Sequence, residues 1–271
     1  MSIAGLSHGV WEQELVTAPA VAAAMSATPF TKTAYVQLTA GLTRAAVGME
    51  MVAWVQNAPS VDSMLFFDIA FGAASSEVVV VRDFPIAMRN YEADPPAWYI
   101  PIAIPATTRV SYRVSSSVAS GGTINAYTQF QLSSPLTAQG AAICTALGLA
   151  DPVTSLSTGS TVTVSTTNGV FGTAVQFSAS TPHAARWVRI VPMTIANPSY
   201  RPVFVRLSLD SAGANVVGPV TYLPSSAMSD FRGIGITLPC WIPQGSDLHL
   251  SVATAQGGQT TAHRFAVHLF G

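Results

Sequence analysis

The chain has 271 residues, of which 49% are hydrophobic and only 9% are charged, and its formal net charge is −1. Globular proteins carry about 25% charged residues, so most of this surface must be covered by uncharged side chains. A near-neutral chain without a basic run lacks the electrostatic footprint of a nucleic-acid-binding protein. No uncharged apolar run reaches the length of about 18 residues that predicts a membrane span.

The first 29 residues align with no other part of the chain, and they are predicted to form an N-terminal arm or an extra strand. A segment this apolar is seldom left free in water, so we expect it to lie on a neighbouring subunit with Trp11 as its anchor. Small residues at 17–27 resemble a signal-peptide cleavage site. Because Glu12 and Glu14 stand where a signal peptide carries positive charge, no targeting signal is predicted.

The rest of the chain is predicted to be a tandem duplication. Residues 98–116, WYIPIAIPATTRVSYRVSS, align with 236–254, ITLPCWIPQGSDLHLSVAT, at an offset of 138. Upstream, 36–51 align with 175–190 at an offset of 139. An offset that holds over about a hundred positions marks a repeated unit. The predicted limits are 30–133 for the first repeat, 134–160 for a linker and 161–271 for the second repeat.

Each repeat is predicted to be all-β. Segments such as VSYRVSSS at 110–117 and LHLSVAT at 248–254 alternate apolar and polar residues, which is the period of a half-buried strand. Turn-forming residues recur about every eight to twelve positions, a spacing typical of sandwiches. We therefore predict two tandem jelly-roll-like β-sandwich domains from an internal duplication.

Two local features qualify this all-β prediction. The doubled proline motif indicates a short edge segment, after which the chain crosses towards the other sheet. One helix is predicted at 134–149, between the repeats, with Ser134 as its N-cap and Pro135 in its first turn.

No spacing in the chain indicates catalysis or a metal centre. The five histidines show no metal-binding pattern, and His263 and His268 would face opposite sides of a strand. We expect isolated surface or half-buried histidines, and we expect Cys144 and Cys240 to be small buried hydrophobic residues. GLSHG at 5–9 fits the letters of a nucleophile elbow, but no strand can precede it there. No catalytic residue, cofactor or metal is predicted.

Carboxylates are scattered, and two places stand out. Glu92 and Asp94 precede a double proline, so we expect a solvated loop tip there. Asp68 and Glu77 bracket the turn AFGAASS at 70–76, where Asp68 is expected to accept hydrogen bonds from neighbouring backbone N–H groups. Neither place indicates the acid pair of a glycoside hydrolase.

Aromatic residues supply the candidate interface. Tyr91, Trp98 and Tyr99 cluster in the first repeat, and Trp241 lies in the second. Exposed aromatic rings could form a sugar platform, but the positions beside the proline motif favour core or subunit contact. Together with Trp11, these are the residues predicted to touch other subunits.

Two segments carry a resemblance to a known family: FDIAFGAASSEVVVVRDFPIA at 67–87 and YIPIAIPATTRVSYRVSSS at 99–117. They resemble the repeats of a family of bacteriophage virion proteins, in which a DIG-GA-GSE turn precedes an FP-IPAGTR strand. The second repeat keeps LPCWIPQGSDLHLSV at 238–252 but has no acidic counterpart of Glu77. The resemblance implies jelly-roll or β-sandwich modules used in head decoration, fibres or tails.

The resemblance and the low charge together predict a non-enzymatic structural protein, located in the virion and assembled in the host cytoplasm. It would act as a capsid decoration or cement subunit, in contact with other virion proteins such as the major capsid protein and with copies of itself in a homo-oligomer. The alternative is a tail- or fibre-associated protein that binds a host-surface receptor or glycan. A polysaccharide depolymerase is a further rival without sequence support. Neither nucleic acid nor membrane is an expected partner.

Overall fold

The computed structural model describes residues 11–12, 21–56, 63–88, 97–119, 122–132, 140–155, 159–194, 203–223, 235–254 and 262–271. In these ranges all helical or extended secondary structure is β-strand and none is helix, so the predicted all-β fold is confirmed. The helix predicted at 134–149 is wrong in its described part, because Cys144–Leu147 forms a strand. This strand pairs with the last strand of the chain, a long-range partner that outweighs the helical spacing of Ile143 and Leu147.

The first nine strands form two sheets, which make up the first sandwich. They are β1 (Trp11–Glu12), β2 (Val21–Ala24), β3 (Val36–Thr39), β4 (Ala46–Gln56), β5 (Ser63–Phe71), β6 (Val78–Met88), β7 (Ala97–Ile100), β8 (Val110–Ser116) and β9 (Thr123–Leu132). One sheet has the order β1–β9–β4–β7, with β2 also paired to β9, and the other has the order β3–β8–β5–β6.

The next nine strands form the second sandwich in the same way. They are β10 (Cys144–Leu147), β11 (Ser160–Thr163), β12 (Val175–Ser178), β13 (Ala185–Thr194), β14 (Val203–Ser208), β15 (Val216–Leu223), β16 (Ile236–Ile242), β17 (Leu248–Thr254) and β18 (Ala262–Phe270). One sheet has the order β10–β18–β13–β16, with β11 also paired to β18, and the other has the order β12–β17–β14–β15.

The two sandwiches match strand for strand, and the duplication predicted from the sequence is confirmed. The β4–β9 pair places Met49 opposite Phe130, and the β13–β18 pair places Val188 opposite Leu269. Both partners differ by 139 residues between the sandwiches, which is the offset found in the sequence. The crossing predicted at the proline motif is also present, because β7 and β8 lie in different sheets of one sandwich.

Each sandwich buries its own apolar core. Alternate residues of the facing strands point inward, so Met49 and Phe67 pack in the first core while Val188 and Leu250 pack in the second. All four side chains are nearly or fully buried. Two interior faces of this kind account for the strict alternation that the sequence showed.

The segments outside the two predicted repeats also supply strands. β1 and β2 come from the predicted arm and pair with β9, while β10 comes from the predicted linker and pairs with β18. The domain limits read from the sequence stay a prediction.

Candidate interaction surface

The two sandwiches touch through the outer face of the β13–β18 pair. Trp187, Arg189 and Val191 alternate along β13 with residues of the second core, so they point away from it. The Trp187 ring meets Tyr99 edge-on, with ring centroids 6.2 Å apart. Val191 packs in a shared apolar cluster with Met64 and Phe66 of the first sandwich. The second sandwich therefore covers the β5–β6 and β7 side of the first.

A buried guanidinium lies in this contact. Arg189 is 2% exposed, and its guanidinium carbon lies 4.3 Å from the centroid of the Phe84 ring. Its Nη1 donates a long hydrogen bond of 3.4 Å to Thr237 Oγ1, and its Nε and Nη2 have no partner among the described residues. Burial lowers the pKa of Arg189 to about 9, because the charged form is poorly solvated there.

His268 is the second polar group at this contact. It is fully buried, its Nε2 lies 3.2 Å from the Arg82 carbonyl oxygen, and its ring lies 5.9 Å from Phe84. Burial, with the nearby Arg189 charge as a smaller cause, lowers the pKa of His268 to about 4. The imidazole is therefore neutral in the folded protein at neutral pH.

The segment that enters the second sandwich closes the β7 edge of the first. The Ala141 N–H donates to the Pro101 carbonyl at 2.8 Å, and the Ala103 N–H donates to the Ala141 carbonyl at 2.6 Å. Gly140 makes this approach possible: a Cβ there would overlap the Val47 carbonyl oxygen and lie 2.8 Å from the Ala103 nitrogen. The first sandwich thus has no open backbone edge at this point.

The same edge of the second sandwich is uncovered in the described chain. Val216 and Val220 on β15 are 43% and 49% exposed, and Trp241 on β16 is 61% exposed. We call these three residues the open edge. Trp241 is the counterpart of Ala103 at the offset of 138, and within the described ranges β16 pairs with β13 alone. An apolar strand edge of this kind is a surface that proteins normally protect.

The first sandwich has its own version of the face that makes the internal contact. Glu50, Val52, Tyr127 and Gln129 lie on β4 and β9 at the positions of Arg189, Val191, Ala266 and His268, each 139 residues earlier. We call these four residues the outer face. All four are partly exposed, whereas all four of their counterparts are almost completely buried.

The main buried charge cluster lies in the first sandwich at Asp68. Its carboxylate accepts hydrogen bonds from Lys32 Nζ at 2.9 Å, from Arg113 Nε at 2.8 Å and from the Asp83 backbone N–H at 2.8 Å. Burial by itself would raise the pKa of Asp68, but Lys32 and these hydrogen bonds hold it below its ordinary value. A backbone N–H group does donate to Asp68, but it belongs to Asp83 on the adjacent strand β6, 15 residues along the chain, and not to the turn where it was expected.

The same lysine links Asp68 to a second buried carboxylate. Lys32 Nζ also lies 2.6 Å from Asp83 Oδ1, so one ammonium group serves two carboxylates. Burial raises the pKa of Asp83 despite that contact. In the second sandwich the Asp68 position is taken by Arg206, which stacks on Phe171 and bonds Ser251, so the network belongs to one repeat alone.

The residues predicted from sequence for subunit contact are distributed between core, internal contact and surface. Trp98 is buried in the first core, while Tyr99 meets Trp187 and donates its hydroxyl to Gln131 Oε1 at 2.7 Å. Trp241 is exposed. Trp11 lies in β1, where only its backbone is described, and Tyr91 lies outside the described residues. Glu92, Asp94 and the GLSHG segment also lie outside them.

The interpretation of the histidines needs correction. His249, His263 and His268 are buried, not surface or half-buried, because β17 and β18 are central strands covered on both faces. Both cysteines are partly buried and pack against the apolar clusters, and burial raises the pKa of the Cys240 thiol to about 12. Within the described ranges, no three His, Cys, Asp or Glu side chains converge as metal ligands. Among the same residues, no helix is long and apolar enough to traverse a bilayer.

Fold and surface together define a tandem all-β sandwich protein. No protein-family model matches the chain, and no curated protein matches it. Among solved structures, the CBM22-1–CBM22-2 tandem domain of Xyn10C from Paenibacillus barcinonensis is similar at 10% identity and a TM-score of 0.26, over 97% of this chain and 95% of that one. The VP2 subviral particle of infectious bursal disease virus is similar at 9% identity and a TM-score of 0.26, over 97% and 73%. Similarities this distant carry no argument about function.

Proposed function

We propose that this protein is a non-enzymatic structural subunit of a bacteriophage particle, assembled in the host cytoplasm and acting through contacts with other subunits. The position proposed for it is the capsid surface, as a decoration or cement protein that touches the major capsid protein. The observation that carries the proposal is the open edge, where three large apolar side chains are exposed to solvent although the sandwich around them is folded. Apolar edges of this kind mark interaction sites.

Two further features support the proposal. Only 9% of the residues are charged, so the surface has little like-charge repulsion to keep copies apart. The carboxylate of Asp68, in the main buried charge cluster, is occupied by hydrogen bonds from Lys32, Arg113 and the Asp83 N–H group. The resemblance of residues 67–87 and 99–117 to phage virion repeats agrees with both.

The test is the copy number of the protein in purified virions, measured by peptide mass spectrometry against the major shell protein. We expect hundreds of copies per particle, as a protein that covers a capsid lattice requires. A few dozen copies or fewer would move the protein to the tail or fibres. Absence from the particle would overturn the proposal.

A second candidate function rests on Trp241 alone. A tryptophan that is 61% exposed on a sandwich edge can stack on a sugar ring, as expected of a receptor- or glycan-binding tail protein. Trp241→Ala would then abolish binding to host cells or glycans while the protein still assembled into particles. Unchanged binding by the variant would remove this candidate.

A further inference from the structure

Among the described residues, one exposed edge and one partly exposed face correspond to the two halves of the internal contact. In that contact the β6–β7 side of the first sandwich meets the outer face of β13 and β18. The open edge on β15 and β16 is the second sandwich's version of the first half. The outer face on β4 and β9 is the first sandwich's version of the second half.

We propose that the open edge of one copy binds the outer face of a second copy, in the arrangement that joins the two sandwiches within the chain. The contact is head-to-tail, so each copy uses its second sandwich towards one neighbour and its first sandwich towards the other. The inference deepens the proposed function and rests on its premise that the chain works through subunit contacts.

The register of the strands identifies which residues would meet. Phe84 contacts both Arg189 and His268 inside the chain. Phe84 pairs with Phe67, and their counterparts in the second sandwich, Thr221 and Val205, pair in the same way. Val220 precedes Thr221 and so corresponds to Asp83, whose backbone lies next to His268 inside the chain. In the next copy Val220 would therefore lie near Gln129, the counterpart of His268.

The centre of the contact has matching residues as well. Inside the chain, Val191 and Ala266 are cross-strand partners that pack with Phe66. In the outer face, Val52 and Tyr127 are the corresponding cross-strand partners. The counterpart of Phe66 at the offset of 138 is another phenylalanine, Phe204. The internal contact therefore sets an aromatic ring against an aliphatic pair, and the proposed contact would set Phe204 against the aliphatic–aromatic pair of Val52 and Tyr127.

These observations identify a second copy of the chain as the partner that binds the open edge. Inside the chain, the outer side of the β13–β18 sheet packs against the β6–β7 edge. The outer face on β4 and β9 belongs to the equivalent sheet of the first sandwich, and the open edge on β15 and β16 is the equivalent edge of the second. A contact between unlike surfaces does not close on itself in a dimer, so it builds a ring or a filament. Subunits that line a particle surface in rows use contacts of this type.

Sedimentation velocity of the purified full chain over a range of concentrations tests the proposal. We expect concentration-dependent association beyond a dimer, and we expect Val220→Lys to weaken it about tenfold or more, because a charge would enter an apolar contact. The matched control is Val170→Lys, since Val170 is 48% exposed but precedes β12, at the far edge of the same sheet. A wild-type chain that stays monomeric, or equal effects of both variants, would overturn the proposal.

Cysteine pairing tests the geometry. Val220→Cys and Gln129→Cys are made in separate chains, and we expect a disulfide-linked dimer when the two are mixed, above the level given by wild type or by either variant alone. Stronger linkage of Val220→Cys to itself would show a symmetric edge-to-edge dimer and overturn the head-to-tail arrangement. Loss of self-association together with a high copy number in virions would reject this inference and leave the proposed function standing.

Discussion

Asp68 shows how a single carboxylate is kept charged inside an all-β core. It is 1% exposed, and its two oxygens are satisfied by an ammonium, a guanidinium and a backbone N–H group. Its neighbour Asp83 shares the same lysine and has its pKa raised by burial. The protein therefore holds one carboxylate firmly ionised and a second one less so, with Lys32 between them.

Replacing Asp68 should destabilise the first sandwich. Asp68→Asn removes the charge that Lys32 and Arg113 neutralise, and we expect a loss of about 2–3 kcal/mol in the free energy of unfolding, as is typical of hydrogen bonds to charged groups. Urea denaturation at pH 7 measures it. Asp151→Asn is the control, because Asp151 pairs with Arg82 at the surface and such pairs contribute less than about 1 kcal/mol. Equal losses would contradict the prediction.

At the scale of strands, the decisive elements are the edges. β7 is continued by backbone bonds from Ala141, whereas β16 has β13 as its partner within the described chain. The same proline motif thus ends in a protected edge in one sandwich and an unprotected edge in the other. In the first sandwich the protection comes from the backbone of Ala141, in the segment that leads into β10.

The protection of β7 depends on a residue without a side chain. Gly140→Ala would place a Cβ against the Val47 carbonyl and the Ala103 nitrogen, both of which belong to the backbone. Since backbone gives way less easily than a flexible side chain, we expect a loss of about 1–3 kcal/mol in the free energy of unfolding. Thermal denaturation measures the loss. Ala142→Ser, two residues later and exposed, should change nothing, and a stable Gly140→Ala variant would contradict the prediction.

At the scale of the molecule, we expect the contact between the sandwiches to weaken in acid. The pKa of His268 is about 4 in the folded chain and 6.5 in its ordinary state, so below pH 6.5 the unfolded chain takes up the proton first. Stability should therefore fall as the pH drops from 6.5 towards 4. The difference between the two values corresponds to about 3 kcal/mol.

His268→Gln isolates this effect. The variant lacks the imidazole that titrates at the contact, so the difference in unfolding free energy between wild type and variant should shrink or reverse in favour of the variant between pH 6.5 and 4. Denaturant titrations at several pH values give this difference. A difference that stays constant over the range would show that His268 does not carry the acid response. His263, whose pKa burial also lowers to about 4, remains in both proteins and cancels.

The sequence was sufficient for the fold class and the duplication because both depend on repeated local patterns. Alternation predicted the strands, and a constant offset predicted the second sandwich. The helix at 134–149 failed because Cys144–Leu147 is held by β18, more than a hundred residues away, and local periodicity contains nothing about such a partner.

Local sequence patterns also could not predict which residues on the outer side of a sheet are buried. His268 and Arg189 are polar residues that lie outside the second core and are buried only because the first sandwich covers them. One signal was present: at the offset of 138, Trp98 aligns with Ile236 and Trp241 aligns with Ala103. The two tryptophans occupy different strand positions, so one could be expected in the core and the other outside it.

Because both sandwiches lie in one polypeptide, their contact is intramolecular. A short connection gives the two partners an effective concentration in the millimolar range, whatever the concentration of the protein. The internal contact can therefore persist with an Arg189 whose Nε and Nη2 have no partner among the described residues. A contact between separate chains has no such advantage, so the fraction of it that forms falls as the protein is diluted.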